Sequence, residues 1–389
     1  MNDESTFDTS APAGPADTLP RPAPGSATGV GSMPGDDVRE AVRVAVEAVP
    51  TLPFLPELPA RGPGADMIGR TLGMLVELYA RVEPSGWRFG DRPGRDTRRA
   101  RAFLAQDLDT LEEFTQGYEG PLKVQVVGPW TLAASVELRG GEAALSDPGA
   151  CRDLTASLTE GLRLHLADLA RRVPGARPVL QLDEPSLTAV LLGRIRSASG
   201  YRTHRAVDRA VVEGALREIV ETARAAGAAV IAHSCAPSVP FGLLRRAGVS
   251  GVSFDFSLLT ESEWDTIGEA VEAGTVLLAG VVPGTDTGTG ASGSSGSSGA
   301  SAAGGGASGA AASGTGSGSG TGSTPLSDPA GSVSGVRSLW RGLGLSPGTL
   351  AESVVVTPAC GLAGASPGYA RAALTHCAKA ARTLVDDPE

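Results

Sequence analysis

The sequence predicts a single (β/α)8 barrel, on three observations. Short apolar, β-rich runs recur along the chain, each followed by a longer segment with helical spacing. The runs are mostly continuous in apolar character, as expected of parallel strands covered on both faces. With two low-complexity stretches set aside, about 325 residues remain, a usual length for one barrel domain. A doubly wound open sheet is the competing architecture for the same alternation.

Eight strand candidates follow in order. Thr28–Ser32 (TGVGS), Leu52–Glu57 (LPFLPE), Lys123–Gly128 (KVQVVG) and Pro178–Asp183 (PVLQLD) come first. Ala229–Ser234 (AVIAHS), Gly251–Phe256 (GVSFDF), Val276–Val282 (VLLAGVV) and Ser353–Pro358 (SVVVTP) complete the set. Between them Asp37–Val49, Leu154–Arg172, Val207–Ala226 and Tyr369–Val385 repeat apolar residues at helical spacing. Residues 1–27 are rich in Pro, Ala, Gly and Asp and read as a disordered tail. The domain then spans 28–389, interrupted at about 285–327 by a flexible insertion. From Thr287 to Thr324 every residue is Gly, Ser, Ala or Thr. Loop-closure cost grows only logarithmically with length, so such an insertion between the last two strands is tolerable, as an inert loop or a mobile flap.

The chain of 389 residues carries 33 basic and 43 acidic side chains, a net charge of −10. That balance argues against an unspecific nucleic-acid binder. Arg92, Arg95, Arg98, Arg99 and Arg101 cluster, either as a solvated helix face or as an anion contact. No apolar run reaches the ~18 residues that would span a bilayer, and the N-terminus lacks the apolar stretch of a secretory signal. Four cysteines, Cys151, Cys235, Cys360 and Cys377, are too few for a disulfide scaffold. These features predict a cytoplasmic protein with reduced thiols and no membrane or nucleic-acid partner.

The residues able to carry chemistry lie where apolar strands end. His233 and Cys235 close AVIAHSC and, two positions apart in an extended chain, emerge on one side. Asp255 ends GVSFDF, and Cys360 follows VVVTPA. A barrel gathers such strand ends around one pocket, and two sulfurs, a nitrogen and a carboxylate form a possible tetrahedral zinc set. Taken singly, His-x-Cys arises by chance, a strand-end Cys is often a small core residue, and Asp255 could cap the next helix. Cys151 and Cys377 fall in helical patterns and read as structural. His165, His204 and His376 have no strand-end context. In Gln181-Leu182-Asp183-Glu184-Pro185 the proline stops the strand, and a carboxylate there could hold an ammonium, act as acid or base, or cap a helix. Gly29-Val30-Gly31-Ser32 would let a ligand approach the backbone. Glu57 sits in a fourth cluster, Pro56-Glu57-Leu58-Pro59, with Arg61 and Asp66-Met67 beyond it.

Together these segments resemble the C-terminal, catalytic half of the cobalamin-independent methionine synthase family, a zinc enzyme that methylates homocysteine on a barrel. TGVGSMP resembles the family's I-G-S-x-P, VQVVGPWTL its G-P-x-T strand end, and LQLDEPSL its I-D-E-P-A-L. AHSC corresponds to His-x-Cys and TPACGL to N-P-D-C-G-L. The resemblance runs from about Thr28 to the C-terminus outside the low-complexity tract, and it implies a single-domain form like the archaeal enzymes. It implies that His233, Cys235 and Cys360 are zinc ligands, with Asp255 where the family has Glu. It further implies that Asp183 grips the homocysteine amino group, that Gly31 and Ser32 receive the carboxylate, and that Glu57 is a second amine-binding acid. The segment around Glu57 departs from the family's H-G-E-x-E-R-x-D-M. Ala133, Ala134 and Ser135 stand where the family places an aromatic against the pterin, with Trp130 displaced to the x of G-P-x-T. Small-molecule substrates are implied: homocysteine, and a methyl donor that is either methyl-folate or a methyl-corrinoid protein. The wider superfamily also holds uroporphyrinogen decarboxylases and zinc methyltransferases acting on coenzyme M. Another small thiol as substrate, or a non-catalytic zinc-binding paralogue, are the alternative functions.

Overall fold

Six of the eight strand candidates form one parallel sheet. The computed structural model describes residues 22–286, 326 and 328–389. Nine strands run in chain order: β1 (Tyr79–Glu83), β2 (Gly86–Gly90), β3 (Pro121–Val127), β4 (Val136–Glu137), β5 (Arg177–Asp183), β6 (Ala229–Ser234), β7 (Gly251–Asp255), β8 (Val276–Val282) and β9 (Val354–Pro358). The main sheet has the order β3-β5-β6-β7-β8-β9, all parallel and each neighbour next in sequence within it. Helices connect the strands, as the parallel arrangement requires. The chain is thus an α/β protein of TIM-barrel-like kind.

The expectation of eight regular strands is corrected to six. Segments 28–32 and 52–57 are not ladder strands, and the ladder does not close into a ring. They run beside its two edges, joined by single parallel bridges: Ala27 to Val356 of β9, Ser32 to Glu57, and Phe54 to Lys123 of β3. Thr28 N donates to Val356 O (3.1 Å), Glu57 N to Gly31 O (3.1 Å) and Leu55 N to Lys123 O (2.9 Å). Pro53 and Pro56 have no N–H to give, which interrupts any longer ladder there. A second sheet, β1-β2-β4, went unread in the sequence because its strands are short and mostly half-buried, with no continuous apolar run. Of the tail and the insertion, residues 1–21, 287–325 and 327 lie outside the described residues; Ser26 and Ala27 are buried.

Capping residues set the helix boundaries. Asp37 accepts from Arg39 N and Glu40 N ahead of helix Val38–Ala48. Asp147 and Pro148 start helix Pro148–Arg172 earlier than its apolar spacing suggests. Asp208 and Ser366 cap helices Arg209–Ala225 and Pro367–Asp386. The arginine cluster lies at the start of helix Arg95–Phe114 with exposed side chains. Arg101 is turned back to the last carbonyls of helix Met67–Met74, Gly73 O (2.8 Å) and Leu75 O (3.2 Å).

The sheet separates two apolar clusters. The larger, facing the helices, includes Leu122, Val124, Val126, Leu180, Leu182, Val230, Ala232, Val252 and Phe254. The smaller comprises Leu52, Val179, Ile231, Val276, Leu278 and Val355, alternate residues on the opposite face. Further along that inner face the strands turn polar: Lys123 and Gln125, Gln181 and Asp183, His233, then Ser253, all buried. The interior therefore runs from aliphatic to ionisable toward the C-terminal ends of the strands, where barrel folds keep their chemistry.

His165, buried in helix Pro148–Arg172, tests the helix packing through pH. Burial, and secondarily Arg70, press its pKa down to about 4 against the opposing pull of Asp168. An unfolded chain protonates this group near 6.5, so stability falls as pH drops from about 6.5 toward 4. His165→Gln removes that limb. The wild type should lose up to about 2 kcal/mol more than the variant between pH 7 and pH 5 in denaturant titrations. Buried carboxylates of opposite slope cancel in the comparison, and identical pH dependences would refute the assignment.

Candidate functional site

Cross-strand register builds the site. Gln125 of β3 pairs with Gln181 of β5, and Asp183 of β5 pairs with His233 of β6. His233 in turn pairs with Ser253 of β7. Residues paired in register point to the same side of a sheet, so one polar layer runs across four strands. Cys235 follows two residues after His233. Cys360 lies just beyond β9, 125 positions later, yet the two sulfurs are 3.2 Å apart.

His233, Cys235 and Cys360 each offer a donor atom, and these three atoms lie within 4.8 Å of one another. His233 is buried, Cys235 half-buried and Cys360 exposed. Ser253 Oγ sits 2.8 Å from His233 Nδ1, which leaves Nε2 for the sulfurs. The two sulfurs are within hydrogen-bond reach of each other, and the contact drives their acidities apart. The contact with Cys235 holds Cys360 down at about 4; burial opposes this and a hydrogen bond from His233 adds to it. The same contact, with burial, raises Cys235.

Asp255 ends β7 with its Oδ1 accepting from Ser257 N (2.9 Å) and Ser257 Oγ (2.7 Å), capping the turn Phe256–Leu258. It stands two residues past Ser253, and the three-atom group of His233, Cys235 and Cys360 does not include it. The sequence cluster of two adjacent acids separates cleanly. Glu184 is buried at the start of helix Pro129–Ser135, accepting from Trp130 N (2.9 Å), Thr131 N (2.8 Å) and Thr131 Oγ1 (2.8 Å). Asp183 instead faces the polar layer, its Oδ1 accepting from Gln181 Nε2 at 2.7 Å. Burial raises Asp183 to about 6, with His233 and Lys123 opposing.

The segments at the sheet edges deliver the remaining candidates. Met33 N donates to Glu57 O at 2.8 Å, and Leu362 N to Ser32 O at 2.8 Å, tying the first two segments to the loop that carries Cys360. A Cβ on Gly361 would collide with the Ser32 hydroxyl, and one on Gly31 would meet the Gln125 amide at 2.9 Å, so a larger residue at either position would displace a side chain of the site. Glu57 is buried, and burial raises it to about 7. Arg70 opposes the shift, and the nearby Asp183 adds to it. Arg70 Nη1 donates to Pro56 O (3.0 Å) and Asp107 Oδ2 (2.9 Å), and Asp107 also pairs with Arg61 (2.8 Å). Thr357 Oγ1, on β9 three residues before Cys360, is buried without a hydrogen-bond partner among the described residues.

Lys123, Gln125, Arg70, Asp107 and Ser253 were not read as site residues in the sequence. For Lys123 and Gln125 a signal was present: polar residues at alternate positions of KVQVV mark one polar face on a strand otherwise apolar. Trp130 is buried in the core, its indole N–H donating to Val212 O at 3.3 Å. Cys377 is buried, and Cys151 contacts Ala144 O at 3.6 Å. Among the described residues no helix is long and apolar enough to cross a membrane.

Among solved structures, the fold is similar to that of a B12-independent methionine synthase from Shewanella sp. W3-18-1 in complex with selenomethionine. The TM-score is 0.53 at 10% identity, covering 94% of this chain and 99% of that one. That likeness is one of fold. A glycoside hydrolase family 20 β-N-acetylglucosaminidase (TM-score 0.37, 13% identity, 69% of this chain and 57% of that one) is more remote. So is a morphinone reductase in complex with tetrahydroNAD (0.32, 11%, 68% and 74%). No protein-family model matches the sequence. No curated protein matches it either.

Proposed function

We propose that this protein is a zinc-dependent S-methyltransferase of the cytoplasm that converts homocysteine to methionine. In this reading segments 28–32 and 52–57 stand in for the two remaining strands of a (β/α)8 fold, held by single bridges rather than ladders. One observation carries the proposal: two sulfurs and an imidazole nitrogen, drawn from positions up to 127 apart, lie within 4.8 Å of one another at the strand ends. Soft sulfur with imidazole nitrogen is a zinc-type donor set, unsuited to oxygen-seeking magnesium or calcium. His233, Cys235 and Cys360 would hold the ion, with Asp255 as a fourth donor once it releases Ser257. Bound there, zinc would supply the positive charge that ionises a coordinating thiol.

The rest is positioning by the chain's own side chains. Asp183 and Glu57, buried and paired with few cations, receive the substrate ammonium. The backbone at Gly31 and Ser32 receives its carboxylate. Ser253 fixes the His233 tautomer from behind. The ionised homocysteine sulfur then attacks the methyl carbon. The donor, methyl-folate or a methyl-corrinoid protein, leaves with the electron pair of the broken bond. Alignment of this kind is worth ~7–11 kcal/mol in favourable cases. Trp130, engaged with Val212 in the core, offers no face to a pterin ring.

The test is methionine formation from homocysteine by zinc-loaded protein, with methyl-folate and methylcobalamin assayed side by side. Product with either donor supports the proposal and identifies the donor class. No product with either, from protein that binds zinc near one per chain, would sink the transferase reading and leave a non-catalytic zinc protein. Methylation of another thiol alone would redirect the substrate.

A further inference from the structure

We infer, building on the proposed amino-acid thiol substrate, that Lys123 is a positioning residue that sets Asp183 for the substrate ammonium by way of Gln181. Lys123 is completely buried on the inner face of β3. Its Nζ donates to Val30 O (2.8 Å) and to Gln181 Oε1 (2.9 Å), with Gln125 Oε1 farther off at 3.5 Å. An ammonium has three donors and no acceptor, so only the oxygen side of an amide can face it. The Gln181 amide is thereby locked in one of its two orientations. Its Nε2 points the other way, donating to Asp183 Oδ1 (2.7 Å) and Val30 O (2.8 Å).

That chain fixes the carboxylate through one oxygen and leaves the other to a ligand. Without the lysine the Gln181 oxygen loses its charged donor, and the amide is held only from its Nε2 side by Asp183 and Val30 O. A buried lysine is a costly way merely to fill space, since well-packed apolar residues commonly serve stability better than buried charge. Its hydrogen bonds end on the side chain two residues before the acid and on the Val30 carbonyl, in the segment that carries Gly31 and Ser32. Lys123 is not one of the three donor residues, and its hydrogen-bonded route to Asp183 runs through Gln181.

The experiment measures binding of homocysteine and of 4-mercaptobutanoate, the same thiol without its amino group, to zinc-loaded wild type and Lys123→Met by calorimetry, with zinc content determined in parallel. The wild type should prefer homocysteine. Lys123→Met should weaken homocysteine at least about tenfold, as expected when a charged hydrogen bond is lost, while leaving 4-mercaptobutanoate within about twofold and zinc content unchanged. Gln181→Leu, which breaks the same chain at its middle and keeps the lysine, should show the same selective loss if Lys123→Met does not fold. Equal weakening of both thiols, or an intact preference in a folded variant, would overturn the inference while leaving the transferase proposal standing. A wild type that binds neither thiol would overturn both.

Discussion

Cys360→Ser is expected to abolish zinc binding and methyl transfer together. The cysteine sits on the loop after β9 and is the contact that brings that loop to β6, at 3.2 Å from Cys235. Serine keeps the size and loses the soft, readily ionised donor, since a hydroxyl stays protonated where the Cys360 thiol is held down at about 4. Removing a mere orienting partner of a metal site typically costs roughly 10–100-fold in affinity; loss of a donor atom should exceed the upper end of that range. The exposed position predicts little damage to the fold, so thermal unfolding of the variant should stay close to that of wild-type protein prepared without zinc. Metal analysis after dialysis and a methionine assay are the readouts. Full activity in metal-free Cys360→Ser protein would defeat the zinc-dependent mechanism.

Asp107→Ala should be among the most destabilising single substitutions in the chain. Its carboxylate, almost wholly buried, receives Arg61 and Arg70, themselves 8% and 3% exposed at the side chain. Removing it strands two guanidinium groups away from water, and breaking a buried pair in this way typically costs about 3–5 kcal/mol. Arg61 retains its stacking over Phe103, 4.7 Å from the ring centroid, but that face contact does not neutralise charge. Because Arg70 also holds Pro56 O beside Glu57, the damage should extend to the site. Chemical denaturation gives the first effect, and a raised KM for homocysteine in protein that still folds gives the second. A loss of less than about 1 kcal/mol would show that water reaches these arginines and that the cluster is not a buried ion network.

Much of the architecture was legible because its signals are local. Six apolar runs became strands within a residue or two of their expected ends, and apolar spacing placed the helices Val38–Ala48 and Arg209–Ala225 within two residues. The two runs that failed as ladder strands carry their reason in plain view for one of them, Pro53 and Pro56. Their place beside β3 and β9, by contrast, depends on single bridges to residues far along the chain. At the site, His233 and Cys235 share a side by simple alternation, and Cys360 was flagged by its place after a strand.

Other features could not be read from any window of sequence. Asp183 and Glu184 are adjacent and chemically alike, yet one enters the polar layer and the other holds a helix start 54 residues earlier. Lys123 gains meaning only when Gln181 and Val30 come to it from separate segments.

Sequence alone marked the six strands of the main sheet and drew attention to His233, Cys235 and Cys360 at strand ends, because periodicity and strand ends are properties of neighbouring residues. Tertiary structure alone decided which acid faces the polar layer, how one carboxylate, Asp107, comes to pair with both Arg61 and Arg70, and which side of the Gln181 amide the buried lysine meets. Those outcomes are set by desolvation and by partners tens to hundreds of positions away, which exist only once the sheet has brought them into register.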